Sequence, residues 1–411
     1  MHGIDTVVIG AGHAGLAMSR CLTERGVEHV VLERGRTAQS WRERRDSLRL
    51  LTPNWMSRLP GHAYRGGDPD GFMTAAELVA HLEGYARSFS APVLDGTEVT
   101  EVRQERCGFL VRTSRGSWNA DNVVIATGYH VHPAVPAHRA SPQVLRLTST
   151  EYRGPDELPE GGVLVVGASS SGVQIVDELC RSGRRTVLAV GAHTRLPRRY
   201  RGRDILFWLD RLGSLDRTLD ELPQPWTARR EPSLQLGGNG RDLDLGSLQE
   251  QGVILTGRLL RLDGNTAGFA GDGDLAFSVT AAESRLRRVL AGIDGLDPSA
   301  PPAAPLPPIL PRPGPRALDL PRSQITSVIW ATGLRPAYPW LHVPVLDETG
   351  RIRHSRGVTD VPGLYAIGLR FQYRRNSTFI DGARHDAAYL ADHLLAARER
   401  NTPTCPRNAS T

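Results

Sequence analysis

Glycines at 10, 12 and 15, and a second set formed by Gly167, Ser169 and Gly172, are the residues whose type and spacing could do chemistry here. Each set follows an apolar, β-branched run, Thr6-Val7-Val8-Ile9 and Val163-Leu164-Val165-Val166, and each opens a helix-like stretch. Such glycines let a chain turn sharply after a strand and bring the N–H groups of a helix start up to a pyrophosphate. They also let the helix pack closely on the sheet. His13 and Ala14 complete the first turn, Ser170 and Ser171 the second, and the serine at 169 is small enough to keep the backbone near a phosphate. One chain is therefore expected to hold two dinucleotides.

The residues that follow distinguish the two. The strand His29-Val30-Val31-Leu32 ends at Glu33, followed by Arg34. A carboxylate there accepts both ribose hydroxyls and repels a 2′-phosphate, so the first site is expected to take FAD or NAD. The second site's next strand, Thr186 to Val190, ends without an acid and leads into Thr194-Arg195-Leu196-Pro197-Arg198-Arg199. A guanidinium fork suits a 2′-phosphate, which points to NADPH, with Arg195 and Arg198 or Arg199 as contacts.

The elements that must position these residues form an α/β chain with two dinucleotide-binding (Rossmann-like) domains. Asn122-Val123-Val124-Ile125-Ala126-Thr127-Gly128-Tyr129 and Ser327-Val328-Ile329-Trp330-Ala331-Thr332-Gly333-Leu334 are buried strands, each ending in Ala-Thr-Gly and bracketing the second turn. Thr127, Gly128, Thr332 and Gly333 thus become cofactor contacts, and the NADPH domain is inserted into the FAD domain. The expected bounds are 1–150 plus 324–411 for FAD and 155–323 for NADPH. Leu275 to about Arg322 begins helix-like, Ala281 to Ile293, then continues as a proline-rich connector over 298–322. A hairpin is expected at Gly264 to Gly273 and disorder over 402–411.

Composition removes several rivals. All 50 basic side chains are arginine, so Schiff-base lysines and P-loop lysines are excluded. A net charge of +6 in 411 residues, with no long basic block, argues for local anion sites rather than nucleic-acid binding. No run approaches the length of a membrane span and no leader precedes the first strand, so a cytoplasmic protein is expected. Cys21, Cys107, Cys180 and Cys405 form no C-x-x-C pair, which disfavours a disulfide reductase. His130 and His132 lack further ligands at zinc spacing, and no metal is expected.

The chain resembles the flavin-containing monooxygenases, class B single-component flavoproteins, and more closely their bacterial YUCCA-like branch. The resemblance spans nearly all of it: both glycine turns, both Ala-Thr-Gly strands, Asp46 to Trp55, Pro197 to Asp204 and Gly363 to Gly368. It implies that NADPH reduces FAD, that the reduced flavin captures O2 as a C4a-(hydro)peroxide, and that one oxygen atom passes to a small molecule at nitrogen, sulfur or an activated carbon. An NADPH oxidase or other flavin oxidoreductase without oxygen transfer, and a catalytically silent redox-sensing flavoprotein, are the alternatives. The family places a small polar or amide side chain after the Trp41-Arg42 stretch, here Thr52 or Asn54. Gln372 and Arg375 would line the substrate side, and Gly368 would touch the flavin. A homodimer is left open, and the arginine-only basicity fits a bacterial natural-product or catabolic enzyme.

Two departures stand out. The family fingerprint F-x-G-x-x-x-H-x-x-x-(Y/W) falls on Pro142, Val144, Thr148 and Tyr152, so only the final tyrosine survives. The strand end that is usually Gly-Asp is Gly368-Leu369. The first puts the coupling of reduction to oxygenation in doubt; the second leaves Gly368 without a side-chain partner.

Overall fold

The structure, a computed structural model, describes residues 2–128, 132–136, 139–140, 143–222, 234–237 and 240–400. Tyr129, His130, Pro142, Cys405 and the tail from Thr402 lie outside them.

Apolar, β-branched runs become the central strands of two sheets. In the first, His2–Ile9 lies between His29–Leu32 and Gly116–Ile125, parallel to both, with Val7 opposite Val30 and Val123. Gly116–Ile125 is long enough to pair antiparallel with Phe109–Thr113 through its first half and parallel with Leu364–Ala366 through its second. The remaining members are Val99–Gln104, Val93–Leu94 and Leu341–His342. The second sheet is five-stranded and wholly parallel, in the order Ile254–Thr256, Thr186–Ala189, Gly162–Val166, Ile325–Trp330, Leu145–Thr148. Val7, Val8, Val163, Leu164 and Val165 are fully buried, as strands covered on both faces must be.

Three helices matter for the site. His13–Glu24 and Ser170–Arg181 follow the two glycine turns, and Ile380–Arg400 packs on the first of these. All three bury an apolar stripe, such as Leu16, Ala17 and Cys21 against Ala387, Leu390 and Leu394 in the first core.

Every strand of the second sheet falls in sequence between strands of the first. The chain crosses to the second sheet between Ile125 and Leu145 and returns between Trp330 and Leu341, whereas the bounds expected from sequence are 150–155 and 324. Leu145–Thr148 and Ile325–Trp330 are themselves strands of the second sheet, so neither segment belongs with the first. The two crossings are knit together as a short antiparallel ribbon, Leu334 opposite Pro133 and Arg335 opposite His132. The hairpin forms slightly upstream of its expected place, as Leu259–Gly264 paired with Thr266–Phe269, and the helix after it spans Asp272–Asp294.

The proline-rich connector is extended and stapled to the second-sheet half. Arg201 donates to the Ala300 and Pro301 carbonyls, Arg195 to that of Pro307 and Gln249 to that of Leu310.

Candidate functional site: two glycine turns and the cleft they face

The two turns are built the same way. Gly10 has φ +108° and Gly167 φ +109°, backbone that only glycine adopts without strain. A Cβ on Gly10 would sit 2.8 Å from the Ala126 carbonyl oxygen, and one on Gly167 2.5 Å from that of Ala331. The third glycines seal each helix onto its turn: a Cβ on Gly15 would lie 1.9 Å from the Gly10 oxygen, and one on Gly172 1.8 Å from the Gly167 oxygen. Each alanine belongs to an Ala-Thr-Gly strand end, so those strand ends wall the glycine turns.

In the first turn Gly12 is the N-cap of its helix and caps nothing with a side chain, and a Cβ there would meet no described atom within 4 Å. An open position beside uncapped N–H groups and the positive end of a helix is where a phosphate could bind. Of the buried polar atoms without a hydrogen-bond partner among the described residues, three lie here: His13 Nε2 and Thr127 Oγ1 around the first turn, and Gln372 Nε2 beyond the strand Leu364–Ala366. Burial pushes the His13 imidazole down to about 4, so the ring is neutral at pH 7 in the protein alone. Gly128 (φ +74°) is open, and Gly368 (φ +80°) lies over Ala14, where a Cβ would approach the Ala14 Cβ to 3.0 Å. These residues converge at the carboxyl ends of the first sheet's strands and fit a flavin dinucleotide.

Glu33 is buried, and one oxygen accepts from the Ala11 N–H at 2.8 Å while the other accepts from the Gly35 N–H at 3.0 Å. It therefore shapes the turn as well as offering its remaining lone pairs to a ribose. Arg34 is exposed and pairs loosely with Glu43, while Trp41 packs half-buried on the first core.

In the second turn Ser169 is the N-cap, Ser170 Oγ donates to the Leu234 carbonyl and Ser171 is exposed. Gln235, which no sequence signal marked, donates through Nε2 to the Ala168 carbonyl at 2.8 Å. Its buried Oε1 has no partner among the described residues. Thr332 differs from its counterpart Thr127, because its hydroxyl donates to the Ala134 carbonyl at 2.7 Å and so belongs to the crossing ribbon. Gly333 (φ +95°) is open.

The structure corrects two of the three arginines expected at a 2′-phosphate. Arg195 spends its guanidinium on Asp244, Glu283 and the Pro307 carbonyl. The Arg198 side chain is 0% exposed; it pairs with Asp204, donates to the Leu51 carbonyl at 2.7 Å and stacks on Phe72 at 4.2 Å. A spacing argument sees the charge of these arginines and misses the acids that neutralise it, because Asp204, Asp244 and Glu283 arrive from other elements. Arg199 alone of the three is exposed, with one bond to the Gly202 carbonyl.

Asn54 is likewise corrected. Its Oδ1 accepts from the Met73 N–H at 2.8 Å and its Nδ2 donates to the Asp68 carbonyl at 2.9 Å, so the buried amide clamps a loop. Thr52 is half-buried beside Leu51 and keeps its place as a candidate. Gln372 Oε1 accepts from the Leu369 N–H at 3.3 Å, which leaves its amide nitrogen as the donor without a partner. Arg375 lies over the Phe371 ring at 5.6 Å.

Further residues emerge only in three dimensions. Arg58 grips Asp381 with two bonds of 2.6 and 2.9 Å, tying the loop after Asn54 to the first turn of Ile380–Arg400. Asp386 on that helix faces Ser377, and burial pushes its carboxyl up to about 7. Ser377 Oγ accepts from the Tyr373 and Arg374 N–H groups, beside Gln372. At the altered fingerprint, Thr148 hydrogen-bonds Glu151 at 2.7 Å and Tyr152 is buried in the second core.

Residues 7–205 match the family model described as pyridine nucleotide-disulphide oxidoreductase. The chain is 34% identical over 400 residues to an uncharacterised CzcO-like oxidoreductase of Geobacillus kaustophilus, covering 96% of this chain and 99% of the relative. It is 28% identical to the indole-3-pyruvate monooxygenase YUCCA1 of Oryza sativa, over 88% of this chain and 86% of that one. Among solved structures it is similar to a flavin-containing monooxygenase from Stenotrophomonas maltophilia, at 19% identity and a TM-score of 0.68, covering 96% and 99% of the two chains. The chain belongs to the CzcO-like oxidoreductases and is similar along most of its length to a flavin monooxygenase.

Proposed function

We propose that the protein is an NADPH-dependent flavin monooxygenase that transfers one atom of O2 to a small organic molecule at nitrogen, sulfur or an activated carbon. The observation that carries the reading is the pair of like-built turns, with the open Gly12 position and buried unpartnered polar atoms at the first. Bound there, FAD would supply hydride acceptance and oxygen activation. The chain's own residues would seat it: Gly12 and the start of His13–Glu24 take the pyrophosphate, Glu33 the ribose, and Thr127 and Gln372 meet polar atoms of the cofactor. Arg199 remains to meet the 2′-phosphate of NADPH. Disulfide chemistry fits poorly, because Cys21 is buried, its thiol pushed up to about 11, and no C-x-x-C pair occurs in the sequence.

The test compares NADPH oxidised, O2 consumed and H2O2 released with panels of amines, thioethers and α-keto acids. A monooxygenase releases less H2O2 than NADPH oxidised once its substrate is present, and the deficit equals oxygenated product. H2O2 equal to NADPH across every panel would make the protein an NADPH oxidase. That second reading is favoured by one feature, the replacement of the fingerprint histidine by Thr148, whose hydroxyl is held by Glu151.

A further inference from the structure

Arg45 follows the short helix Gln39–Arg42 on a segment whose next anchor, Leu50, is buried in the first core, yet its side chain ends on the other half of the molecule. It donates to Gln174 Oε1 at 2.8 Å and forms an ion pair with Glu178 at 3.6 Å. Gln174 and Glu178 lie four residues apart on one face of Ser170–Arg181, the helix that begins at the second glycine turn. A planar guanidinium fork can engage two acceptors one helical turn apart; a single ammonium could not hold both. The pair is sheltered, with side-chain exposures of 8% and 17%. Tyr152, which survives from the altered fingerprint, also faces Arg45 and Glu178. A second tie runs the opposite way beside it: Arg153, next to that tyrosine, donates to the Glu43 carbonyl of the first half. The two ties, of opposite origin, join the two halves at neighbouring points, and the one made by Arg45 ends on the helix itself.

We propose that Arg45 is a positioning residue that fixes the helix Ser170–Arg181 against the first-sheet half and so sets where a nicotinamide bound at the second turn meets a flavin bound at the first. The role rests on the proposed function and takes over the link that the fingerprint histidine would make, since Thr148 is turned onto Glu151. Arg45 touches neither glycine turn, so its loss should leave each cofactor's own seat intact and degrade only the geometry between them. A displacement near 1 Å is worth on the order of a hundredfold in a transfer step.

The experiment uses the full-length, FAD-loaded protein and the variants Arg45→Met, Arg45→Lys, Glu178→Gln and the double variant Arg45→Met/Glu178→Gln. Anaerobic stopped-flow reduction by NADPH should show the limiting rate falling about 10- to 100-fold in Arg45→Met, with the NADPH concentration for half-saturation changed less than about threefold. Arg45→Lys should recover part of the rate, and the double variant should be no slower than Arg45→Met alone. Thermal midpoint and bound flavin are measured on every variant, because a merely structural residue would lower the rate only in step with them. A wild-type limiting rate in Arg45→Met, or additive losses in the double variant, would overturn the proposal. Hydrogen exchange along 148–181 supplies a readout without turnover: protection falls in Arg45→Met if the tie holds the two halves, and stays unchanged if it does not. Should NADPH fail to reduce the wild-type flavin while exchange responds to Arg45→Met, the fault lies with the functional reading and not with the tie.

Discussion

Arg195 and Arg198 are buried against acids, whereas Arg199 is exposed. Arg198→Ala strands Asp204 in a dry site and frees the Leu51 carbonyl, so it should cost about 3–5 kcal/mol in urea unfolding. Arg199→Ala should leave stability within about 0.5 kcal/mol of wild type. It should raise the KM for NADPH about tenfold with little change for NADH, and equal changes for both would remove Arg199 from the 2′-phosphate. The legible residues were those whose role depends on near neighbours in sequence, such as Gly10 and Gly15 and their counterparts Gly167 and Gly172. Asn54 was misread because its partners, Asp68 and Met73, sit on a loop that no local pattern brings to it.

At the scale of elements, each strand, turn and helix unit was readable because apolar runs, glycines and helix starts occur in order within about thirty residues. The glycine positions separate folding from binding. Gly15→Ala places a Cβ 1.9 Å from backbone and should abolish folding, measured as loss of a cooperative melt. Gly12→Val points into open space, so the variant should melt like wild type yet purify without flavin absorbance; full flavin would sink the first-site assignment. Sheet membership was less legible. The strands Leu145–Thr148 and Ile325–Trp330 carry no mark of which sheet they join, since parallel pairing is decided by partners far away in sequence.

For the whole molecule, two buried groups set opposing slopes of stability with pH. Asp386, raised from 3.8 to about 7, holds its proton longer in the folded state. Its contribution is complete below the unfolded value and is lost as pH rises from about 4 to 7, on the order of 4 kcal/mol. His13, lowered from 6.5 to about 4, gives the reverse: its contribution is complete above 6.5 and is lost as pH falls toward 4. The two slopes oppose between pH 4 and 6.5, and above that range only the Asp386 slope remains. Asp386→Asn should therefore raise the urea midpoint at pH 8 and leave it unchanged at pH 4; an equal gain at both would show that the carboxyl does not titrate in the fold.

The ribbon joining Pro133 to Leu334 has a consequence for engineering. Strand neighbours lie about 5 Å apart, so everything between these residues leaves and re-enters the first-sheet half through one narrow gate. The intervening segment is in effect a cassette: its two ends already meet, and closing the remaining chain across the gap needs only a short turn with little loop entropy to overcome. A cassette from a relative with different nucleotide preference could be spliced at the same two positions, provided it brings its own acceptors for Arg45.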